Sequence, residues 1–186
     1  MEVKPTVLEG QQVRLEPLAR AHADAFFEAA REWNLSREFV ETSIESALRQ
    51  QELGNALPFA TIDKNSSQVV GGTRFLNISS EHRRLEIGST WIAKPFRRTR
   101  INTEAKFLML EHAFETLACT RVEFSTDALN ETSRAAILRL GATQEGTLRN
   151  YFVQADGQIH DGIVYSIVES EWPSVRARLE EMLSRR

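Results

Sequence analysis

The succession of alternating and helical patterns in the middle of the chain limits the folds that this sequence can adopt. Three segments, residues 58–63, 68–78 and 83–92, alternate between apolar and polar side chains and are predicted to be strands. Their connections are only a few residues long, so these strands are expected to run antiparallel to one another. A helical pattern then covers residues 102–118 and leads into a strand at residues 120–127. Because a whole helix separates the strands at 83–92 and 120–127, these two can pair in parallel.

The flanking segments add strands and helices on both sides of this centre. Further strands are predicted at residues 11–18 and in a hairpin over residues 147–168, which turns at Asp156-Gly157. Further helices are predicted at residues 21–31, 43–53, 130–142 and 171–183. The expected fold is an α+β domain of the three-layer α/β type, with about seven strands in one mixed sheet and helices on both faces. Residues 1–186 are interpreted as one domain.

Composition argues against several classes of function. The net charge is −3, whereas nucleic-acid binding needs a basic face. No stretch approaches the roughly 18 apolar residues of a membrane span, and the first residues lack the apolar run of a signal peptide, so a cytoplasmic protein is expected. The single cysteine, Cys119, is interpreted as a buried structural thiol. No spacing of His, Cys, Asp and Glu predicts a metal site.

Positive charge is nevertheless concentrated in front of one helix. Four basic residues precede the helix predicted at residues 102–118, namely Lys94, Arg97, Arg98 and Arg100. A helix N-terminus presents unpaired N–H groups and a partial positive charge, and arginine binds phosphate through paired hydrogen bonds. The loop is therefore either a phosphate site or a solvated segment whose charges pair with nearby acids. It lacks the Gly-Lys-Ser/Thr of a Walker loop.

A second motif, "DALNETSRAAILRLGA", combines helix signals with polar residues at its start. Asn130 is a good N-cap and Gly141 a good C-terminal stop. With the basic loop, this motif resembles the GCN5-related N-acetyltransferase (GNAT) superfamily, and most closely the branch that includes the RimJ/RimL ribosomal-protein acetyltransferases. That family reads Asn-x-x-Ala/Ser, an apolar stretch and then Leu-Gly-Phe/Ala, and Asn130, Ser133 and Ile137 stand at matching positions before "RLGA".

The resemblance extends from about residue 10 to residue 183 and implies a fold and a co-substrate. It implies that the strand at 83–92, the fourth of seven, splays from its parallel neighbour at 120–127, the fifth, with acetyl-CoA in the gap. The family's pyrophosphate loop, Arg/Gln-x-x-Gly-x-Gly/Ala, falls on residues 97–102. The acetyl-CoA-binding residues implied in this way are Trp91, Ile92, Ala93, Arg97, Arg98, Thr99, Arg100, Ile101, Asn102, Thr103, Asn130 and Ser133.

The loop departs from the family at two positions. Arg100 and Asn102 stand where the family has glycines, and glycine serves where φ is positive or where backbone approaches phosphate closely. Either the loop has another shape here, or Arg100 points outward and adds a phosphate contact. Asn102 tolerates the left-handed region and could cap the helix. Glu104, close to the helix start, is expected to point away from the phosphate site.

The resemblance also implies catalytic roles. An attacking amine must be neutral, so a general base is expected, and Glu86 lies where relatives often carry a carboxylate on the splayed strand. Alternatively, Glu86 is a solvent-facing or ion-paired strand residue. Many relatives have a Tyr that protonates the leaving thiolate where this chain has Ile137. In the RimJ/RimL-like branch a Ser matching Ser133 is proposed for this role, although Ser133 can also be an ordinary helix residue. Backbone N–H groups from Trp91 to Ala93 are expected to bind the oxyanion.

The implied reaction is direct transfer of an acetyl group from acetyl-CoA to a primary amine in a ternary complex. The RimJ/RimL resemblance favours a protein N-terminus as the acceptor. Small amines, including antibiotics and polyamines, are acetylated by similar folds, so the fold does not decide between them. A non-catalytic CoA-binding regulatory domain is a further alternative, motivated by the altered loop and the missing Tyr. Relatives are often homodimers, so a homodimer is also considered.

Overall fold

A computed structural model of the chain describes residues 1–185. The strands form one sheet of eight, in the spatial order β1-β2-β3-β4-β5-β6-β8-β7. Their bounds are β1 Leu8–Glu9, β2 Val13–Pro17, β3 Leu57–Asp63, β4 Gln68–Ser79, β5 Arg84–Ile92, β6 Arg121–Asp127, β7 Thr143–Val153 and β8 Ile159–Val168. The predicted antiparallel meander is confirmed in β3, β4 and β5, and β5 pairs with β6 in parallel as expected. The eighth strand is β1, whose two residues are too few to show an alternation in the sequence.

Five α-helices cover the two faces of this sheet. Their bounds are α1 Ala23–Ala29, α2 Arg37–Glu52, α3 Ile101–Glu111, α4 Glu131–Leu140 and α5 Trp172–Ser184. Helices α1 and α2 bury apolar side chains against one face, and α3, α4 and α5 pack on the other. Strand β3 shows the two faces directly, because Phe59 belongs to the core under α3 and its neighbour Ala60 to the core under α2.

Helix boundaries differ from the sequence prediction where capping decides them. Helix α2 begins at Arg37, before the predicted start at Ser43, because the Ser36 hydroxyl accepts a hydrogen bond from the Phe39 N–H at 3.1 Å. Helix α1 is shorter than predicted and is flanked by 3-10 turns at Arg20–His22 and Arg31–Trp33. Among residues 1–185, no helix has the length and apolar character that crossing a membrane requires.

The feature that positions the site is an opening between β5 and β6. These strands pair only at their beginnings, where Arg84, Leu85 and Glu86 lie opposite Arg121, Val122 and Glu123. Beyond Glu86 both strands continue, to Ile92 and to Asp127, without pairing with each other. The strands therefore splay apart, as the sequence predicted, and we call the resulting gap the splay cleft.

Candidate active site

Glu86 lies at the vertex of the splay cleft, in the last pair of residues that joins β5 to β6. Only 7% of its surface is exposed. Its Oε2 accepts a hydrogen bond from Asn77 Nδ2 at 2.7 Å, and its Oε1 accepts one from Ser125 Oγ at 2.5 Å. Glu86 is thus neither solvent-facing nor, among the described residues, ion-paired. Its hydrogen bonds fix the carboxylate at the vertex of the cleft, and its role as a general base stays a prediction.

The next residue on the same face of β5 is Gly88, whose lack of a side chain allows Leu76 to pack beside the Glu86 carboxylate. A Cβ atom at Gly88 would lie 3.4 Å from Glu86 Oε1 and 2.9 Å from the Leu76 side chain. A larger residue at position 88 would therefore displace Leu76 or crowd the carboxylate.

The cleft edge of β5 gives Trp91, Ile92 and Ala93 three different environments. The Ala93 N–H donates to Val70 O at 2.8 Å, so this N–H is used within the sheet and is not available for the oxyanion role expected of it. Backbone groups alternate in direction along a strand, so the N–H of Ile92 faces the splay cleft instead. The Trp91 side chain packs edge-to-face on Phe26, with ring centroids 5.2 Å apart, on the α1–α2 side of the sheet.

Arg97 makes several contacts within the protein. Its guanidinium pairs with Glu32 at 2.8 Å and donates through Nε to Ile92 O at 2.8 Å. It also lies 5.1 Å from the centroid of the Trp33 ring. Arg97 therefore connects the basic loop to the 3-10 turn that follows α1.

The backbone of the loop differs from the family pattern in an unexpected place. Arg100 has φ −72° and is the N-cap of α3, whereas Arg98 has φ 59° and lies in the left-handed region. The Thr99 hydroxyl donates to Phe96 O at 2.6 Å and accepts from the Ile101 N–H at 3.3 Å. Asn102 lies inside the helix, so the expected capping role of Asn102 is wrong. The loop residue in the left-handed region is therefore Arg98, two positions before Arg100.

Two further residues near the start of α3 turn away from the loop. The Glu104 carboxylate accepts hydrogen bonds from the backbone N–H groups of Gln11, Gln12 and Val13 at 2.6, 2.9 and 3.0 Å, which confirms the expected direction. The Thr103 hydroxyl is buried and accepts from Arg139 at 3.1 Å. The first turn of α3 therefore offers a ligand the backbone N–H groups of Asn102 and Thr103.

Helix α4 brings Asn130 and Ser133 to the other side of the splay cleft. Asn130 Oδ1 accepts from the Ser133 N–H at 3.0 Å, so Asn130 caps the helix. The Ser133 side chain is half-buried one turn into the helix, and Ile137 is buried in the core. At the end of β6, Asp127 bonds His160 Nδ1 at 2.5 Å, so His160 pairs across the strands rather than with its neighbour Asp161.

Sequence reasoning missed Lys106, a buried amine on α3. Lys106 is 5% exposed, and its Nζ donates to the hydroxyls of Thr73 and Thr90 at 2.8 and 2.5 Å. Thr90 itself is exposed and lies in the part of β5 that does not pair with β6. Burial lowers the pKa of the Lys106 ammonium to about 7. Because α3 is buried on nearly all sides, its hydrophobic pattern gave no sign that a charged residue faced the sheet.

Sequence reasoning also missed Arg74, on the α1–α2 face of β4. Arg74 lies directly opposite Gly88 and lines a cavity of about 300 Å³ between α1, α2 and the sheet. Among residues 1–185 its guanidinium has no ion-pair or hydrogen-bond partner, and burial lowers its pKa. A basic residue within a strand is common at surfaces, so the sequence carried no signal for this placement.

Comparisons with known proteins agree with this geometry. Residues 12–143 match the family described as "Acetyltransferase (GNAT) domain". "Putative ribosomal N-acetyltransferase YdaF" of Bacillus subtilis (strain 168) is 38% identical over 96 residues, which is 52% of this chain and about half (51%) of that protein's length.

Solved structures extend the likeness over nearly the whole chain. The crystal structure of a "putative acetyltransferase" from T. thermophilus is 37% identical, with a TM-score of 0.88 over 98% of this chain and 100% of that one. A GCN5-related N-acetyltransferase from Brucella melitensis is 29% identical, with a TM-score of 0.90 over 98% of this chain and 87% of that one. With the splayed strands and the family match, these findings show that the chain belongs to the GNAT family of acetyltransferases.

Proposed function

We propose that the protein is an acetyl-CoA-dependent N-acetyltransferase that acts on a primary amine by direct attack in a ternary complex. The observation that carries the proposal is the Glu86 carboxylate, buried at the vertex of the splay cleft and oriented by Asn77 and Ser125. Acetyl-CoA supplies a thioester carbonyl for the amine to attack. The amine reaches Glu86 from the α1–α2 face and gives up a proton to it as the C–N bond forms.

Residues around the cleft hold the co-substrate in this proposal. The phosphates lie at the start of α3, where Arg98, Arg100 and the N–H groups of Asn102 and Thr103 provide positive charge and donors. Arg97 keeps the loop in place through Glu32. The N–H of Ile92 stabilises the oxyanion that forms before the C–S bond breaks.

Helix α4 contributes to the departure of the thiolate. Ser133 lies one turn into the helix and has a hydroxyl that can return a proton to sulfur, while Ile137 has none. Asn130 orients this end of α4 by capping it, and its side-chain N–H₂ remains available for the pantetheine arm.

Two classes of acceptor are considered. The name of YdaF, a relative over about half the chain, favours a protein N-terminus. The cavity of about 300 Å³ between α1, α2 and the sheet, lined by Arg74 and Trp91 among others, favours a small amine. Acceptors of both classes attack the acetyl-CoA thioester with a primary amine in the same way.

The test is release of thiol from acetyl-CoA with a panel of amines, amino acids and N-terminal peptides, with the product identified by mass. Glu86→Gln is expected to reduce turnover without changing acetyl-CoA affinity, and Ser133→Ala is expected to reduce turnover. Glu123→Gln is the matched control, because Glu123 lies opposite Glu86 on β6 but pairs with Arg84 and Arg121. Binding of acetyl-CoA with no acetyl transfer to any acceptor would indicate a regulatory CoA-binding domain instead. Transfer that is unaffected in Glu86→Gln and Ser133→Ala would refute the roles of these residues.

A further inference from the structure

The cavity on the α1–α2 face has an apolar lining and an open rim. Its walls are made by aromatic and aliphatic side chains of α1, α2 and the strands, among them Phe26, Val40, Ile44 and Trp91. At the rim, Trp33 and Phe39 are 39% and 56% exposed. Large apolar side chains exposed around a cavity are typical of a ligand site.

One charged side chain interrupts this apolar lining, and that is Arg74. A guanidinium stays charged at any physiological pH, and removing it from water without an anion is costly. Arg84 and Arg97, on the neighbouring strand and loop, pair with Glu123 and Glu32. Arg74 has no such carboxylate among the described residues, and its guanidinium lies half-buried at the cavity wall without an anion beside it.

The position of Arg74 relative to Glu86 gives this cation a use. Arg74 lies opposite Gly88, and Glu86 lies opposite Leu76, so Arg74 and Glu86 are diagonal neighbours on the same face of the sheet. Diagonal neighbours lie about 7–8 Å apart, and their Cβ atoms are somewhat closer. Gly88 has no side chain, and the Leu76 side chain lies over it, 2.9 Å from the place of a Cβ atom. A small molecule held by Arg74 therefore lies on the face of the sheet that carries Glu86.

We propose that the acceptor is an α-amino acid with an apolar side chain, whose carboxylate binds Arg74, whose side chain fills the cavity and whose amine faces Glu86. The proposal rests on the acetyl transfer proposed above and specifies its substrate class. Arginine binds a carboxylate through two parallel hydrogen bonds, which fixes the direction of the adjacent amine. The amine then gives its proton to Glu86 and attacks the thioester carbonyl carbon, and the C–S bond breaks to release CoA.

The same arrangement disfavours the other acceptors. The α-carboxyl group of a protein N-terminal residue is an amide, so it leaves the guanidinium without an anion. A polyamine adds positive charge beside Arg74. The cavity volume of about 300 Å³ lies at the lower limit of small-molecule sites, which are about 300–1,000 Å³.

The experiment compares matched acceptors that differ only at the carboxylate. Thiol release is measured with L-leucine, L-methionine and L-phenylalanine, with the amide of each, and with peptides that begin with the same residues. We expect kcat/KM for the free amino acid to exceed that of its amide by about 100-fold, the loss typical of an unpaired buried charge. In Arg74→Met this ratio falls to about 1, and Arg74→Lys restores part of it. Arg20→Met, an exposed arginine that pairs with Glu45 on the same side of the sheet, keeps the wild-type ratio.

A binding measurement separates failure of this inference from failure of the proposed function. N-acetyl-leucine and N-acetyl-leucinamide are titrated into the protein saturated with CoA. Because of Arg74, the affinity for the free acid is expected to exceed that for the amide by at least tenfold, even if no turnover is found. Equal binding of the two products overturns the inference. Transfer to peptides or polyamines but not to free amino acids also overturns it, while leaving the acetyltransferase proposal intact.

Discussion

Ser125 and Glu86 join β6 to β5 through a hydrogen bond of 2.5 Å just where the two strands separate. Ser125 is the second residue of β6 after the last paired position, so its hydroxyl fixes the carboxylate at the vertex of the splay cleft. Asn77 holds the other carboxylate oxygen from β4. Three strands thus orient one side chain, and this rigidity is what a general base requires.

The first prediction concerns this pair. Glu86→Gln lowers kcat by about 100-fold or more, because general base catalysis contributes about 10²–10⁴. Ser125→Ala lowers kcat less, since the carboxylate remains but is held by Asn77 alone. If Ser125 acts only through Glu86, the double variant is no slower than Glu86→Gln. Steady-state kinetics on the three variants decides this, and additive losses would show that Ser125 has a role of its own.

The second prediction concerns the strained residue of the basic loop. Arg98 has φ 59°, a conformation that costs a non-glycine residue about 1–2 kcal/mol. Arg98→Gly is therefore expected to be more stable than Arg98→Ala by roughly 1 kcal/mol in urea denaturation. Both variants are expected to bind acetyl-CoA more weakly, and to the same extent, because both lose the charge. Arg100→Gly is the control. Because Arg100 has φ −72° and is unstrained, glycine is not expected to relieve strain at this position. Equal stability of Gly and Ala at position 98 would contradict this account of the loop.

Particular elements show what the sequence could and could not predict. The meander and the parallel crossover were predictable because periodicity and connection length are local properties, whereas the splay and the position of Glu86 were implied by the family resemblance. Partners distant in sequence were not predictable. The ion pair of Arg97 with Glu32, its partner 65 residues away, could not be identified from the sequence. Arg74 and Lys106 look ordinary in sequence, and only the packing of α1, α2 and α3 on the sheet shows that Lys106 is buried and Arg74 half-buried.

The third prediction concerns the buried Lys106. Its pKa of about 7 in the folded protein is below its ordinary value of 10.5. Between these values the unfolded chain binds a proton that the folded protein does not, so the contribution of Lys106 to the free energy of unfolding rises with pH from about 7 to about 10. The slope of the free energy of unfolding against pH that Lys106 contributes has a limit of about 1.4 kcal/mol per pH unit. Lys106→Met removes this contribution and is expected to be at least as stable as the wild type at pH 7.

Urea denaturation of wild type and Lys106→Met between about pH 6.5 and 9.5 provides the measurement, since this range lies within the span where the two states differ in bound protons. The contributions of all other groups cancel in the difference between the free energies of unfolding of the two proteins. The excess stability of Lys106→Met over the wild type should therefore diminish as the pH rises. A difference that is constant over this range would show that Lys106 titrates normally.

The last prediction concerns Glu104, the carboxylate that turns away from the basic loop. It accepts three backbone N–H groups of the segment between β1 and β2, and it is buried. Glu104→Gln replaces one oxygen by an N–H₂ group that faces donors, so at least one N–H loses its acceptor. Hydrogen bonds to charged groups contribute about 1.5–3 kcal/mol each, and the expected loss of stability is about 2–4 kcal/mol. Glu111→Gln, on the same helix but paired with Arg176 at the surface, should cost less than about 1 kcal/mol.

Because Glu104 faces away from the phosphate site, acetyl-CoA affinity of Glu104→Gln should equal that of the wild type at a temperature where both proteins are folded. Tighter acetyl-CoA binding by Glu104→Gln would instead show that the carboxylate repels the phosphates.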